Sequence, residues 1–400
     1  MADTVPDAAA THVLGIDSGG SGVRVGVARA DAYGGSAAEH PLTGSPPLTW
    51  SSSTPAVVGD RGIDAEDLLA RVLPAARELL REAGARRLGA VCVGAAGMAT
   101  LGDDLRARLP DALADALGVR RLALAADAVT AYAGALGQRP GAVVAAGTGL
   151  IALGAVPEGV AEGLGGVPDA DDASRTGGVP GTGGASSPDA ASGTDATSGT
   201  DATSGTDATA PGGYTHRAAT GWRRADGWGH LLGDCGGGAW IGRAGLEAAM
   251  RAYDGRDGGS KPLLARLEAV FGPATGLPGK LYPRPDRPAV LASFAPEVGR
   301  CAAEDPVAEA ILRTAARHVA EAAEAVCPRL ESSEVALTGG LFRMGAPLLT
   351  PVCEELAARL PGVRVIEAAG DPLDGALCVA AALDADELRL PRDPALLGVV

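Results

Sequence analysis

The stretch VLGIDSGGSGVRVGVA, residues 13–28, joins two short apolar segments through a turn rich in glycine. Alternating apolar side chains on both sides of such a turn predict a β-hairpin. The same plan returns in AVVAAGTGLIALGAV, residues 142–156. Strand and helix patterns follow each hairpin, so the sequence predicts an α/β protein with a duplicated architecture.

Each hairpin belongs to one predicted domain. The first domain spans 12–124 together with a C-terminal helix at about 375–400, and the second spans 125–374. Residues 158–213 hold almost no large apolar side chains and repeat the unit SGTDAT. Such a segment cannot bury enough apolar surface to offset its chain entropy. We therefore expect a disordered low-complexity insert there, with a partner-binding tether as the alternative.

The composition of the chain argues against several classes of binding partner. The formal net charge of -15 is unfavourable for binding nucleic acid or an anionic membrane. The six cysteines form no C-x-x-C pair, which argues against a zinc site and favours reduced thiols in the cytoplasm. Residues 1–11 lack the apolar segment of a signal peptide. We expect a cytoplasmic protein with small-molecule ligands, and a homodimer is compatible with this sequence.

The turn of the first hairpin is suited to binding phosphate. Its glycines let backbone N–H groups converge on an anion without a side chain in the way. Asp17 stands at the end of the preceding strand, where its carboxylate could hold Mg²⁺ beside the phosphates, directly or through water. An ordinary hairpin turn is the alternative. The predicted phosphate-binding residues of this turn are Ser18, Gly19, Gly20, Ser21 and Gly22.

The turn of the second hairpin repeats this pattern in residues 147–149, GTG. Thr148 and Gly149 could hold the same polyphosphate from the other side. Residues 147–152 also fit the dinucleotide pattern G-x-G-x-x-A, but the segment that follows is β-like rather than helical, which excludes that interpretation. A further glycine pair, Gly339 and Gly340, follows a predicted strand and would let adenine approach the backbone closely.

Two carboxylates are candidates for sugar contacts. Asp127 lies between a predicted strand and a predicted helix, where it could accept the proton of a sugar hydroxyl that attacks the γ-phosphate. A helix N-cap is the alternative for this residue. Asp234 lies in WGHLLGDCGGGAW, residues 228–240, whose many glycines predict a backbone that approaches a ligand. For Asp234 the alternative is a turn former.

In this order along the chain, the motifs resemble those of the N-acetylglucosamine kinase and BadF/BadG/BcrA/BcrD-type ATPase family. The stretch 227–240 is similar to the family's GGWGHxxGDEGSxxW. The resemblance implies two ribonuclease-H-like domains of the sugar kinase and actin superfamily, with an interdomain cleft, and ATP and Mg²⁺ as cofactors. It also implies Asp127 as the catalytic base, Gly339 and Gly340 as adenosine contacts, and sugar contacts from Asp127, Gly147 and Asp234.

The chain departs from the family pattern near the expected sugar site. Leu150 and Ile151 replace a serine and an asparagine, and Cys235 and Gly237 replace the Glu and Ser of GDEGS. With Ala225 and Asp226 before GWGHLLGDCG, the chain looks more like actinobacterial glucosamine kinases. An acidic pocket around Asp127 and Asp234 would favour an ammonium group over an acetamide. We therefore expect phosphorylation of glucosamine to glucosamine 6-phosphate. The alternatives are an N-acetylglucosamine kinase, an iron–sulfur ATPase activator, which the scattered cysteines oppose, and a non-catalytic sugar sensor.

Overall fold

The computed structural model of this protein describes residues 11–20, 22–33, 46–59, 62–160 and 221–400. These described parts belong to one compact unit. The predicted insert lies almost wholly outside the described residues, as does Ser21.

The strands, in chain order, are β1 (His12–Gly19), β2 (Gly22–Arg29), β3 (Leu48–Ser52), β4 (Val58–Gly59), β5 (Gly62–Ile63), β6 (Leu88–Ala95), β7 (Leu122–Ala126), β8 (Gly141–Ala146), β9 (Leu150–Val156), β10 (Gly221–Asp226), β11 (Glu334–Thr338), β12 (Arg364–Glu367) and β13 (Leu397–Val399). The helices are α1 (Ala65–Glu82), α2 (Met98–Leu101), α3 (Asp103–Leu117), α4 (Asp127–Leu136), α5 (Gly238–Tyr253), α6 (Lys261–Phe271), α7 (Leu277–Leu281), α8 (Arg287–Ala292), α9 (Ala295–Cys301), α10 (Pro306–Val326), α11 (Ala346–Arg359) and α12 (Pro372–Asp384).

Two mixed sheets form the framework of the described chain. The first has the strand order β13-β7-β6-β1-β2-β3, and the second has the order β10-β9-β8-β11-β12. Both predicted hairpins are present, since β1 pairs antiparallel with β2 and β8 pairs antiparallel with β9. The strands β1, β6 and β7 run parallel to one another, as do β8, β11 and β12. Parallel strands end at the same sheet edge, so each sheet gathers several strand ends in one place.

Helix α4 links the two sheets, since it begins directly after β7 and contacts strands of both. All its residues except Asp127 are buried, and it packs closely against α12. A Cβ on Gly375 would lie 1.8 Å from the carbonyl oxygen of Thr130, and one on Gly134 would lie 2.1 Å from that of Asp371. The two helix backbones therefore touch, and this crossing anchors the helix that begins at Asp127.

The domain boundaries expected from the sequence remain a prediction. A boundary at 124/125 would cut β7. The next strand along the chain, β8, belongs to the second sheet, so the change of sheet comes after β7. Both β13 and α12 pack with the first sheet, through pairing of β13 with β7 and contacts of α12 with β1. No helix in the described part of the chain combines the length and the apolar character that a membrane crossing requires.

Candidate functional site

The carboxyl ends of three parallel strands place two candidate carboxylates at one edge of the first sheet. Asp17 lies near the end of β1 and pairs in register with Gly94 of β6. Asp127 follows the last residue of β7, which is the strand on the other side of β6. Two strand spacings separate β1 from β7, about 10 Å. The structure therefore brings Asp17 and Asp127 to the same edge, although they are 110 positions apart in the sequence.

Asp17 is engaged by an arginine on the neighbouring strand. Both the Nε and the Nη2 of Arg24 donate to its Oδ2, at 3.0 and 2.7 Å. The same guanidinium also bonds Asp371, the N-cap residue of α12, at 2.5 Å. Burial raises the pKa of Asp17, and the charge and hydrogen bonds of Arg24 oppose that rise. Arg24 thus holds two carboxylates at the edge where a polyphosphate is expected.

The predicted phosphate residues of the first turn occupy different environments. Ser18 is fully buried, and its hydroxyl has no hydrogen-bond partner among the described residues. Gly22 is also buried, and a Cβ there would lie 2.0 Å from the carbonyl oxygen of Ser52 in β3. Close packing against β3 therefore explains the glycine at position 22. Among the described residues of this turn, Gly19 and Gly20 have open space around them that a ligand could occupy.

Asp127 is exposed to solvent, yet its charge is disfavoured by its surroundings. Dense protein around the carboxyl group desolvates it and raises its pKa to about 6, while the amide of Ala128 lowers the pKa in part. That amide donates to Oδ1 at 2.9 Å. The charge of Asp17 raises the pKa further and that of Arg224 lowers it. The N-cap of α4 is Ala126, so the alternative interpretation of Asp127 as that cap is wrong.

The second turn is fastened to the start of α5. The amides of Gly238 and Ala239 donate to the carbonyl oxygens of Gly147 and Thr148, at 2.9 and 2.8 Å. A Cβ on Gly238 would lie 2.5 Å from the oxygen of Gly147, so no larger residue fits this contact unchanged. The amide of Gly147 donates to the carbonyl oxygen of Gly149 at 3.0 Å, so the amides of Thr148 and Gly149 are the other donors of this turn.

Asp234 lies against the second turn. A Cβ on Gly149 would be 2.3 Å from its Oδ2, and the amide of Gly229 donates to its Oδ1 at 3.1 Å. Its own φ is 55°, in the left-handed region. Burial raises the pKa of Asp234, and the neighbouring charge of Asp226 adds to that rise. The predicted sugar contacts Gly147 and Asp234 therefore lie around one turn.

The predicted adenosine residues lie beside the same turn. Strands β8 and β11 are parallel, with Thr338 paired to Ala145, so the segments after them leave one sheet edge together. Gly339 has a φ of 103°, and a Cβ there would lie 2.2 Å from the carbonyl oxygen of Ala146. Gly340 is exposed and has open space around it. The second sheet thus brings together the GTG turn, the Asp234 loop and the paired glycines.

Four residues near the site were given no role from the sequence: Arg24, Arg224, Asp226 and Asp371. Arg24 could have been found, since Asp17 and Arg24 are direct partners across the predicted hairpin. The other three have no local signal. Asp371 is separated from Arg24 by 347 positions, and only folding brings the two together.

Comparison with known proteins confirms the family resemblance over part of the chain. Residues 203–380 match the BadF/BadG/BcrA/BcrD ATPase family. This matched stretch includes the Asp234 loop and the Gly339–Gly340 pair. No curated protein matches the chain.

Two solved structures share the fold. One is a provisionally assigned N-acetylglucosamine kinase from Chromobacterium violaceum, with 24% identity, a TM-score of 0.58, and coverage of 92% of this chain and 98% of that chain. The other carries the same provisional assignment and comes from Porphyromonas gingivalis, with 14% identity, a TM-score of 0.57, and coverage of 94% and 99%. At such identities the likeness establishes the fold alone, and it confirms the expected α/β fold.

Proposed function

We propose that this protein uses ATP to phosphorylate an amino sugar, with glucosamine as acceptor and glucosamine 6-phosphate as product. The observation that carries the proposal is the state of Asp127. It is an exposed carboxylate whose pKa is raised to about 6, at the sheet edge where Asp17 also lies. A general base works best when its pKa lies near the working pH. The ATPase family match and the shared fold support the same assignment.

In the proposed reaction, Asp127 takes the proton of the sugar 6-hydroxyl as the hydroxyl oxygen forms a bond to the γ-phosphorus. The bond between that phosphorus and the β–γ bridging oxygen breaks, and ADP leaves with the electron pair. A pKa of about 6 leaves the carboxyl largely ionised at neutral pH, so it can accept the proton. The accessible position of Asp127 lets the substrate hydroxyl reach it.

The polyphosphate would be bound by backbone donors from both turns. Gly19 and Gly20 present a turn with open space, and Thr148 and Gly149 present the amides that α5 leaves available. No group of three or more His, Cys, Asp or Glu side chains in the described ranges could hold a metal ion. Mg²⁺ typically keeps several waters and phosphate oxygens as ligands, so the single carboxylate of Asp17 could hold it, directly or through water. When bound there, the ion would neutralise charge on the β- and γ-phosphates.

Charge around the second turn supports an amino sugar as the acceptor. Asp234 and Asp226 are close enough for their charges to interact, and an ammonium group would relieve that repulsion. An acetamide is neutral and would leave it unrelieved. N-acetylglucosamine remains the second candidate, since both structural relatives are provisionally assigned as kinases of that sugar.

The decisive experiment is a coupled ADP-release assay with glucosamine, N-acetylglucosamine, glucose and mannosamine. We expect glucosamine to give the highest kcat/KM. Asp127→Asn should lower kcat by roughly 10³-fold, since it removes the base while keeping the size of the side chain. Sugar binding, measured by calorimetry, should persist in that variant.

The matched control is Asp115→Asn, which changes an exposed carboxylate on α3 and should leave kcat unchanged. A clear preference for the acetylated sugar would move the assignment to the second candidate. Sugar binding without any ADP release would instead favour a non-catalytic sensor.

A further inference from the structure

The loop that carries Asp234 is closed by a second aspartate, Asp226, the last residue of β10. Its Oδ1 accepts the amide N–H of Asp234 at 2.5 Å, and its Oδ2 accepts that of Cys235 at 3.0 Å. Both oxygens of one carboxylate are thus bound to two consecutive backbone amides. Hydrogen bonds to an ionised acceptor are about twice as strong as those between neutral groups. Residues 226–235, called here the clamp loop, therefore begin and end on the same side chain.

The backbone of Asp226 is held from the other side by Arg224. Its Nε donates to the carbonyl oxygen of Asp226 at 3.1 Å, and its Nη2 donates to that of Gly227. The guanidinium also stacks over the ring of Trp228, 4.6 Å from the centroid. The carboxylate has little freedom to move, since a Cβ on Gly233 would lie 2.4 Å from Asp226 Oδ1. The two ends of the clamp loop are therefore fixed against each other.

Both aspartates of the clamp loop have unfavourable backbone conformations. Asp226 has a φ of 61° and Asp234 a φ of 55°, in the left-handed region that favours glycine. The similar family stretch GGWGH has glycine at the position of Asp226. Non-glycine residues persist in this region only where the surroundings determine their conformation strongly. The bonds from Asp234 and Cys235 to the Asp226 carboxylate supply that constraint.

We propose that Asp226 is a positioning residue that fixes the orientation of Asp234 against Gly149, and so shapes the sugar site. The inference deepens the proposed function and rests on it for the identity of the ligand. Asp226 acts through the backbone of Asp234: without its bonds, the amides of Asp234 and Cys235 lose their acceptor and the left-handed turn relaxes. Asp234 would then no longer hold its carboxylate beside the second turn.

Two variants of Asp226 distinguish an effect on the clamp loop from a general loss of stability. Asp226→Asn keeps one oxygen acceptor and the size of the side chain. Asp226→Gly removes both acceptors but suits the left-handed backbone. We expect the KM for the sugar to rise about tenfold in the Asn variant, and further in the Gly variant, from the loss of charge-assisted hydrogen bonds. The KM for ATP should change less than about twofold, because the amides of Thr148 and Gly149 are untouched.

Residue-resolved amide hydrogen exchange supplies a readout that needs no ligand. The amides of Asp234 and Cys235 should exchange about tenfold faster in Asp226→Asn, and faster still in Asp226→Gly, while protection within α5 stays at its wild-type level. Asp257→Asn, which alters an exposed carboxylate outside the site, is the matched control and should change neither exchange nor KM.

Unchanged exchange at Asp234 and Cys235 in both variants would overturn the proposal, as would faster exchange with an unchanged sugar KM. If the wild-type protein phosphorylates no amino sugar, the proposed function fails by itself. In that case, the amide exchange rates of Asp234 and Cys235 still test whether Asp226 holds Asp234 in place.

Discussion

At the scale of single residues, Asp127 shows how a side chain can be open to solvent and still resist ionisation. Desolvation by neighbouring protein atoms raises the pKa of this carboxyl group, and Asp17 adds a like charge at the same sheet edge. The amide of Ala128, the charge of Arg224 and the backbone amide of Asp127 itself lower the pKa in part. A substrate can reach such a group from solvent, and the group keeps a proton affinity useful near neutral pH.

This shift predicts the acid limb of the pH profile. The base must be deprotonated to act, and its pKa is raised from 3.8 to about 6. The kcat/KM for the sugar, measured at saturating MgATP, should therefore begin to fall as the pH drops through about 6 rather than about 4. Below that point it should lose about tenfold per pH unit, because kcat/KM for the sugar follows the ionised fraction of the enzyme that has not yet bound the sugar. A profile that stays flat down to pH 5 would contradict Asp127 as the base.

At the scale of elements, the second turn and α5 depend on each other. The first amides of α5 have no partners within the helix, and the carbonyl groups of the turn accept two of them. These hydrogen bonds hold the second turn in place through its carbonyl oxygens, so the amides of Thr148 and Gly149 could donate to a phosphate. Glycines at positions 237 and 238 are required by the close approach of the two backbones.

Gly238→Ala tests this contact. Alanine is the better helix former by about 1 kcal/mol, but its Cβ would lie 2.5 Å from a backbone oxygen of Gly147. Overpacking of this kind typically costs about 1–3 kcal/mol, so the clash should win. We expect a lower free energy of unfolding in urea and a higher KM for ATP. Gly279→Ala in α7, where nothing lies within 4 Å, is the control and should be neutral or slightly stabilising.

At the scale of the whole molecule, helix α4 leads from the last residue of β7 in the first sheet to β8 in the second sheet. Its packing against α12 fixes its position. The crossing is possible only because Gly134 and Gly375 have no side chains at the point of contact. Gly15 and Gly26 extend the same close packing to Leu377 on α12. The position of Asp127 therefore depends on glycines that never touch a ligand.

Gly375→Ala should destabilise the protein by about 3 kcal/mol or more, because its Cβ would lie 1.8 Å from the backbone oxygen of Thr130. The measurement is the free energy of unfolding from urea titration. Activity per folded molecule should fall as well, since α4 carries Asp127 at its first position. A variant as stable as the wild type would show that the two helices can separate without loss.

Replacement of residues 161–220 by a linker of about six residues tests the predicted insert. Val156 and Gly221 are direct ladder partners, so a short connection can join β9 to β10. A segment that contributes only chain entropy should, when shortened, raise the free energy of unfolding by about 1–2 kcal/mol. ADP release should be retained. Loss of activity with an intact fold would instead assign a functional contact to the segment.

Much of this protein was determined by local sequence alone. Alternating apolar residues around glycine turns specify the hairpins 13–28 and 142–156, because strand periodicity and turn chemistry act over a few residues. The placement of Asp127 between a strand and a helix was predicted for the same reason. Only the tertiary structure decided that Arg24 joins Asp17 to Asp371, that Ser18 is fully buried, and that Asp226 holds the loop of Asp234. These contacts depend on which strand ends meet at a sheet edge and which backbones touch, and neither property is encoded by neighbours along the chain.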